Sequence, residues 1–357
     1  MSKRVLNVWW VLLLLGGCAA PAVPPLECQP ECDPLVRQRV RVGYNPIGLA
    51  VTADGRWLYA ANSGSNSVSK IDTQTLTVVS TIQVNGNPVW VALGASQKTV
   101  YVTARQGRSL NLVSQDGNYL IAAIDLPYPP EKVAVDPEEK LAYVTSGFAP
   151  YLTVVDLVNQ RVRQTISTSS ECLGVAVSPD GRFVYVSTRS PRYNLLVFST
   201  SEQTVVSRTN AGSVPDAIAF GSAGEYAYVA NHDSDDVTVI HVPTQHPVLT
   251  IPVGQAPMDL AVAPSGRYVY VTCQFDNTVA ILDTDQHTVV YRIKLDVTPW
   301  GVVFLPDGSR AYVANYLDKW TNQNRLEISG PQLTLGTGAS SRVNNNTVIV
   351  LDTQKYR

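Results

Sequence analysis

A tyrosine recurs at a nearly constant interval along the chain and constrains the fold more than any other feature. The steps are 42 residues long, with a single step of 43, and the tyrosines are Tyr59, Tyr101, Tyr143, Tyr185, Tyr228, Tyr270 and Tyr312. Most of them begin a phrase such as Tyr-Val-Thr-Ser or Tyr-Val-Ala-Asn. A period of this length indicates a solenoid, a propeller or an array, whose repeats pack on each other and form one body.

Each period contains four short β-type runs separated by turn residues. Around Tyr185 the runs are 174–178, 183–187, 194–198 and 204–208, and Pro179-Asp180-Gly181-Arg182 forms the first turn. A proline opens the first run at Pro46, Pro88, Pro130, Pro215, Pro257 and Pro299, and Cys172 takes its place in the remaining period. Proline suits the first residue of a strand because it has no N–H for the ladder. Both landmarks predict an all-β, seven-bladed β-propeller with four-stranded antiparallel blades.

The two ends of the chain predict how the ring closes. Residues 346–353 match the third run of the preceding period, and only residues 354–357 follow, so the last blade lacks a fourth strand of its own. The run at 35–42 lies one period before the fourth strand of the first blade. We expect strand 35–42 to complete the C-terminal blade beside strand 346–352, which leaves no unpaired inner edge. That blade also carries a polar insert at 316–343, and loops of this length are usually functional or disordered.

The first 17 residues have the pattern of an export signal. Lys3 and Arg4 precede an apolar run of eleven residues, too short to span a membrane. The run ends in Leu15-Gly16-Gly17-Cys18, which resembles a bacterial lipobox and implies lipidation of Cys18. The alternative is an ordinary cleaved signal followed by a chance cysteine. The proline-rich residues 18–34 then predict an extended tether to a propeller at 35–357.

Ala19 rather than Asp after the cysteine is similar to the pattern of lipoproteins sent to the outer membrane. We therefore expect an exported, lipid-anchored protein. Its location is the outer membrane or periplasm of a two-membrane bacterium, or the outer surface of a one-membrane cell.

Composition and motifs exclude several classes of function. The formal net charge is -2, and no Lys/Arg-rich run follows the first residues, so the basic footprint of a nucleic-acid-binding protein is absent. The sequence has no Gly-x-Ser-x-Gly motif, no zinc pattern and no Cys-x-x-Cys-His for haem attachment. We therefore predict no catalytic residues and no cofactor.

Three repeated phrases carry a family resemblance: Tyr-Val-Thr/Ala-Asn/Ser, Pro-Asp-Gly-Arg, and Asn-Thr-Val-x-x-Leu-Asp-Thr at 277–284 and 346–353. With these the chain resembles the YVTN-type β-propeller repeat family over essentially all of residues 35–357. The resemblance implies an extracytoplasmic or surface protein but no single activity. The architecture is similar to that of lactonase-type propellers and of the haem propeller of nitrite reductases, and a fold does not transfer a function.

The residues that follow the proline position differ between blades and are the candidate ligand-binding residues. They should lie near the top opening of the channel, where the loops into each first strand and between second and third strands meet. We call this set the channel-mouth residues: Trp90, Glu131, Lys132, Asp216, Asp259 and Trp300, with Trp320 from the insert. A mixed aromatic and charged opening suits a small ligand or a peptide. The alternative is ordinary packing with solvated charges.

The asparagines that end the repeat phrase, Asn62, Asn231 and Asn315, lie on the same face. A residue that serves many blades alike is structural, so we expect each to close its turn through a side-chain-to-backbone hydrogen bond. The alternative is a polar ring around the channel.

The loop at His232, Asp233 and Asp235 is the most polar short stretch and a candidate for a metal site. Oxygen ligands in such a run suit a hard cation. The EF-hand spacing is absent, which favours a solvated acidic loop.

Four cysteines remain besides Cys18. Cys172 and Cys273 fall in blades 4 and 6, so a whole blade separates them and we expect both to stay thiols. Cys28 and Cys32 are four residues apart in the tether, and whether they form a disulfide stays open.

These features favour a lipid-anchored, extracytoplasmic propeller that acts as a binding or interaction module through its top face. The ligand would be a protein, a peptide or a small molecule. One alternative is a propeller enzyme, either a lactonase-like hydrolase or a redox propeller with a non-covalent cofactor. Another is a structural protein of the cell envelope.

Overall fold

The computed structural model describes residues 26–27, 33–316 and 346–356. In these ranges the chain forms 29 β-strands in seven antiparallel sheets. Each sheet is one blade, and the innermost strands of neighbouring blades contact each other around a central channel. The predicted seven-bladed propeller is confirmed. The insert predicted at 316–343 lies, except for Tyr316, outside the described residues.

The innermost strands of blades 1 to 7, in order, are β3 (Pro46–Val51), β7 (Pro88–Leu93), β11 (Val133–Val135), β15 (Cys172–Val177), β19 (Pro215–Phe220), β23 (Pro257–Val262) and β27 (Pro299–Phe304). The second strands are β4 (Trp57–Asn62), β8 (Thr99–Ala104), β12 (Leu141–Val144), β16 (Phe183–Thr188), β20 (Tyr226–Asn231), β24 (Tyr268–Cys273) and β28 (Arg310–Asn315).

The third strands are β5 (Ser67–Asp72), β9 (Ser109–Ser114), β13 (Tyr151–Asp156), β17 (Leu195–Ser199), β21 (Asp236–His241), β25 (Thr278–Asp283) and β29 (Thr347–Asp352). The fourth strands of blades 1 to 6 are β6 (Thr77–Gln83), β10 (Leu120–Asp125), β14 (Arg161–Ser167), β18 (Thr204–Thr209), β22 (His246–Pro252) and β26 (Thr288–Lys294). Blade 7 is completed by β2 (Val36–Arg41), with β1 (Leu26–Glu27) outside it.

The seven repeat tyrosines lie in the core between neighbouring blades. Their side chains are at most 6% exposed, and Tyr59, for example, packs with Val91 and Val100 of the next blade. At about 25 cal/mol per Å² of buried apolar surface, each ring contributes roughly 2–3 kcal/mol of transfer free energy. The repeated tyrosine is therefore scaffold.

The asparagine that ends the repeat phrase ties the second strand to the third. Asn62 Nδ2 donates to the hydroxyls of Ser67 at 3.2 Å and Ser69 at 2.9 Å. Asn231 and Asn315 make equivalent bonds to Thr238 and Thr347. The role is structural, as expected, but the partners are side chains of the third strand rather than the backbone.

The ring closes through β2, as predicted. This strand pairs antiparallel with β29, with Val40 opposite Val348. Arg37 forms an ion pair with Asp352 within blade 7, and Arg39 pairs with Asp296 in the loop that leads out of blade 6. The backbone of Leu26–Glu27 adds a short fifth strand on β2, so this part of the predicted tether is paired rather than free.

Blade 3 departs from the proline pattern. Its first strand begins at Val133 instead of at Pro130 and is three residues long. Pro129 and Pro130 together provide no N–H over two residues, so the ladder begins later. The backbone still approaches the second strand here, because Glu131 N–H donates to the Thr145 carbonyl at 2.8 Å.

Among the described residues, no helix is long and apolar enough to cross a membrane.

Candidate functional site at the channel mouth

The first strands line the channel, and most of them are irregular just after the proline position. The pairing of β7 with β8 shifts between Pro88 and Trp90, and that of β23 with β24 shifts between Pro257 and Asp259. Such a bulge re-aims one side chain and is common beside functional sites. The irregularities fall on the residues that vary between blades.

Hydroxyl groups of the second strands fix the backbone at these bulges. Thr145 Oγ1 accepts the Lys132 N–H at 3.0 Å and donates to the Leu173 carbonyl of the next blade at 2.7 Å. Thr272 accepts the Asp259 N–H and donates to the Trp300 carbonyl in the same way. Each hydroxyl therefore holds one channel-mouth residue in place and links two blades.

Lys132 lies in the channel wall rather than on an open rim. The residue is 5% exposed, and its Nζ is 3.2 Å from both Asp216 Oδ1 and the Asp216 carbonyl oxygen. Nζ also lies 4.4 Å from the centre of the Trp90 ring. The contact with Asp216 runs from blade 3 to blade 5 and skips blade 4, where the equivalent residue is Gly174. A Cβ added to Gly174 would lie 2.5 Å from the Asp216 carbonyl oxygen.

Asp259 is the second carboxylate of this region, and it is 6% exposed. Its Oδ2 accepts the Val302 N–H of blade 7 at 3.0 Å. Burial raises the pKa of Asp259 to about 6, and the negative charge of Asp216 acts in the same direction. The positive charge of Lys132 and the N–H groups of Val302 and Leu260 partly oppose this rise.

We call Lys132, Asp216, Asp259 and Trp90 the channel cluster. It brings one ammonium and two carboxyl groups together in the wall of the channel. Lys132 has its contact partner in Asp216, so within the described ranges Asp259 is the carboxyl group of the cluster without a contact ion pair. Buried charges are normally paired, and strongly perturbed carboxyl groups cluster at functional sites.

Glu131 belongs to a separate group on the top face. Both of its carboxylate oxygens accept from Arg105 Nη2 at 2.6 Å. The Arg105 guanidinium lies 5.5 Å from the centre of the Phe148 ring, which is 65% exposed. Neither Arg105 nor Phe148 was among the predicted residues, although both lie in loops that follow the repeat phrase.

Four large aromatic side chains of the described residues are exposed on this face, and we call them the top-face aromatics. They lie in loops of blades 1, 3, 4 and 6, and they are Tyr44, Phe148, Tyr193 and Phe275. Arginines cover two of them. The Arg192 guanidinium lies 5.3 Å from the centre of the Tyr193 ring, and the Arg105 guanidinium lies over the Phe148 ring. The face around the channel mouth is therefore rich in aromatic rings and arginine.

Trp300 lies at the edge of the channel cluster. It is half-buried, and its ring packs edge-on against Tyr316 with the ring centres 4.6 Å apart. The Thr272 hydroxyl accepts the Asp259 N–H and donates to the Trp300 carbonyl, which places the backbones of these two residues side by side. Trp320, the remaining channel-mouth residue, lies outside the described residues.

The candidate metal ligands do not converge in the structure. His232 Nδ1 is bonded to Asp233, and the His232 ring packs edge-on against Phe275. Asp235 turns to the next blade and accepts the Ala256 N–H at 2.9 Å. No group of three or more His, Cys, Asp or Glu residues suited to a metal ion occurs in the described part of the chain.

Cys172 and Cys273 are free, buried thiols, as predicted. Burial raises the pKa of Cys172 to about 11 and that of Cys273 to about 12. Cys172 Sγ donates to the Tyr151 carbonyl at 3.0 Å. Because the reactive form of cysteine is the thiolate, both residues are packing residues rather than nucleophiles. Cys28 and Cys32 lie outside the described residues.

Two concavities lie on the opposite face, away from the channel cluster. One, of about 610 Å³, lies between blades 3 and 4 and is lined by Pro137, Tyr143 and Gly181 among others. The other, of about 680 Å³, lies between blades 5 and 6 beside Tyr226 and Arg267. Neither contains a channel-mouth residue.

Comparison with known proteins supports the fold and says little about activity. A family profile described as "Lactonase, 7-bladed beta-propeller" matches residues 128–252, which is well under half of the chain. The matched part runs from the loop before β11 to the end of β22 and includes Lys132 and Asp216. The chain is therefore similar to that family over three blades. A search of curated proteins found no significant match.

A solved structure described as Kuenenia stuttgartiensis hydrazine synthase has a similar fold. The TM-score is 0.70 at 20% sequence identity, and the match covers 78% of this chain and 94% of that one. At this identity the likeness shows the architecture alone. The fold and its closed ring define the protein as a seven-bladed β-propeller.

Proposed function

We propose that the protein is a lipid-anchored, extracytoplasmic propeller of the YVTN type that binds a protein or peptide partner through its top face. The observation that carries the proposal is the set of top-face aromatics around the channel mouth, two of them covered by arginines. Aromatic residues and arginine are enriched in protein interfaces and dominate their binding energy.

Site-specific photo-crosslinking in cells tests the binding face. A photoreactive amino acid replaces Phe148 or Phe275 on the top face, and the matched control replaces Val158, a bottom-face residue that is 72% exposed. We expect discrete covalent adducts from the two top positions and none from the control. Adducts from Val158 alone, or from no position, would contradict the proposal.

The anchor is tested separately by Cys18→Ala. We expect the variant to be released from the membrane fraction and to lose the lipid-dependent mass increment. A variant that stays membrane-bound with unchanged mass would show that Cys18 is not the anchor.

Hydrolysis at the channel cluster is a second candidate function. The favouring observation is that the lactonase-type match includes Lys132 and Asp216. A panel of lactones assayed by proton release tests it, with Lys132→Met as the inactive variant. Turnover no faster than the uncatalysed reaction, or turnover unchanged in Lys132→Met, would remove this candidate.

A further inference from the structure

The charges at the channel mouth do not balance. Arg105 neutralises Glu131, and Lys132 neutralises Asp216, in both cases by direct contact. Among the described residues Asp259 has no such partner, and no side chain there donates a hydrogen bond to its carboxylate. Its donors are backbone N–H groups, with Val302 at 3.0 Å from Oδ2. A carboxylate has about four acceptor positions, so Asp259 can accept further donors.

We infer that the channel mouth receives one basic side chain, a lysine or arginine, that a partner peptide or protein presents to Asp259. This inference rests on the proposed binding through the top face and names the chemistry of the partner. The top-face aromatics would contact the body of the partner while its basic side chain enters the channel.

Two physical arguments favour a cation over other ligands. A cation supplies the counter-charge that Asp259 lacks, whereas a neutral group leaves that charge unpaired. An anion that approached Lys132 would meet the carboxylates of Asp216 and Asp259.

Burial also favours a long side chain over a compact ion. Asp259 is 6% exposed and lies in the channel wall, below the exposed loops. Lysine and arginine carry their charge at the end of three or four methylene groups. They can therefore reach a recessed carboxylate while the peptide backbone stays on the surface.

Binding of short peptides tests the inference. The probes are acetyl-Gly-Arg-Gly-amide, acetyl-Gly-Lys-Gly-amide and the neutral isostere acetyl-Gly-citrulline-Gly-amide. They are titrated calorimetrically into the wild-type protein at pH 7.5 and low salt. We expect saturable binding of both basic peptides, and binding of the citrulline peptide at least about tenfold weaker. Equal binding of the arginine and citrulline peptides, or no saturation by ~20 mM of either basic peptide, would overturn the inference.

Two variants locate the site. Asp259→Asn should lower the affinity for the arginine peptide at least about tenfold. Asp233→Asn makes the same change at a carboxylate that is 53% exposed on the same face, and it should change binding less than about twofold. Equal losses in both variants would show attraction to the surface charge rather than a site. Thermal melting confirms that the variants are folded, and the arginine–citrulline comparison needs no variant.

The pH dependence is an independent measurement. Asp259 faces Lys132 and Asp216, and its pKa is raised to about 6. Binding of the arginine peptide should therefore weaken as the pH falls through this value, since the protonated carboxyl has no charge. Affinity that stays constant from pH 7.5 to 5 would contradict the site. If no basic peptide binds while crosslinks at Phe148 and Phe275 persist, this inference fails and the proposed function stands.

Discussion

In the described part of the chain two lysines are buried over tryptophan rings, and the groups that surround their ammonium nitrogen atoms differ in charge. Lys70 and Lys132 are each 5% exposed, and each Nζ lies 4.4 Å from the centre of a ring, Trp57 for Lys70 and Trp90 for Lys132. Lys70 has neutral acceptors in the adjacent blade: the Gln115 carbonyl at 2.6 Å and Asn118 Oδ1 at 3.0 Å. Lys132 instead contacts a carboxylate two blades away.

The comparison shows that equal burial over a tryptophan ring does not fix the charge balance around a lysine. Burial lowers the pKa of Lys70, and the more distant Asp116 carboxylate only partly opposes this. Its hydrogen bonds to neutral groups serve to join blades 1 and 2. Around Lys132 the carboxyl groups outnumber the ammonium, and the unbalanced one, Asp259, faces the channel. Charge balance, rather than depth, therefore distinguishes the two lysines.

Replacing each lysine by methionine should give the largest difference between them. Lys132→Met leaves the half-buried Asp216 and the buried Asp259 without a counter-charge, so we expect a loss of about 3–5 kcal/mol in the free energy of unfolding. Lys70→Met leaves two neutral acceptors unsatisfied and should cost about 1–3 kcal/mol. Urea denaturation at pH 7.5 measures both. Equal losses would show that charge balance does not separate the two sites.

Asp259→Asn should reveal the cost of the unbalanced carboxylate. Its pKa is about 6 in the folded protein against 3.8 for the ordinary group, so between these values the folded state binds more protons than the unfolded state. Stability of the wild type should therefore fall as the pH rises from about 4 through 6. The variant should be more stable above pH 7, by up to about 3 kcal/mol, with the difference vanishing near pH 4.

Thermal melts of both proteins across this pH range measure the effect. The matched control is Asp233→Asn, whose melting profile should follow that of the wild type. A variant that is less stable than the wild type at pH 8 would show that the Asp259 carboxylate stabilises the ring.

Gly174→Ala should disturb the Lys132 site from blade 4, the blade that the contact between Lys132 and Asp216 bridges. The new Cβ would lie 2.5 Å from the Asp216 carbonyl oxygen, a backbone atom, so the partner of Lys132 must shift. We expect a loss of about 1–3 kcal/mol in denaturant unfolding. Gly221→Ala is the control. Its Cβ would lie 3.4 Å from its nearest neighbour, the Tyr226 carbonyl oxygen, so this change should alter stability little. Similar losses in both would exclude the close approach as the cause.

Removing one acceptor from Lys70 should have the smallest effect. Asn118 has a positive φ of 55°, and Gln245 holds the equivalent turn position in blade 5 with a φ of 59°. Asn118→Gly and Gln245→Gly relieve similar backbone strain, but only the first removes a hydrogen bond to a buried lysine. We expect Asn118→Gly to be less stable than Gln245→Gly by about 1 kcal/mol in thermal unfolding. Equal stability would mean that the Gln115 carbonyl alone holds Lys70.

The sequence predicts the scaffold well because repetition makes each position visible seven times. The buried tyrosines, the asparagines at the turns and the closing strand 35–42 all follow from the period. The start of β11 was the exception. Two consecutive prolines lack the N–H groups for strand pairing, so the hydrogen-bond ladder begins only at Val133.

The site was predicted less completely. The positions of Lys132, Asp216 and Asp259 at the channel follow from the repeat, but their burial and the contact across blade 4 do not. That contact depends on the absence of a side chain at Gly174 and on the curvature of the ring, neither of which a periodic pattern encodes. Arg105 and Phe148 were missed because they lie in loops, where the repeat gives no alignment.

Closure by β2 also sets an order of events during synthesis and folding. Arg37 and its partner Asp352 are 315 residues apart. Strand β2 therefore cannot take its place in blade 7 until β29 has been synthesised. Until β29 has been synthesised, β2 and the blades already formed expose unpaired strand edges, and other chains could pair with these edges. The protein therefore becomes resistant to such association only when its final residues arrive, and a chain truncated near its C-terminus would remain an open arc rather than a slightly shorter ring.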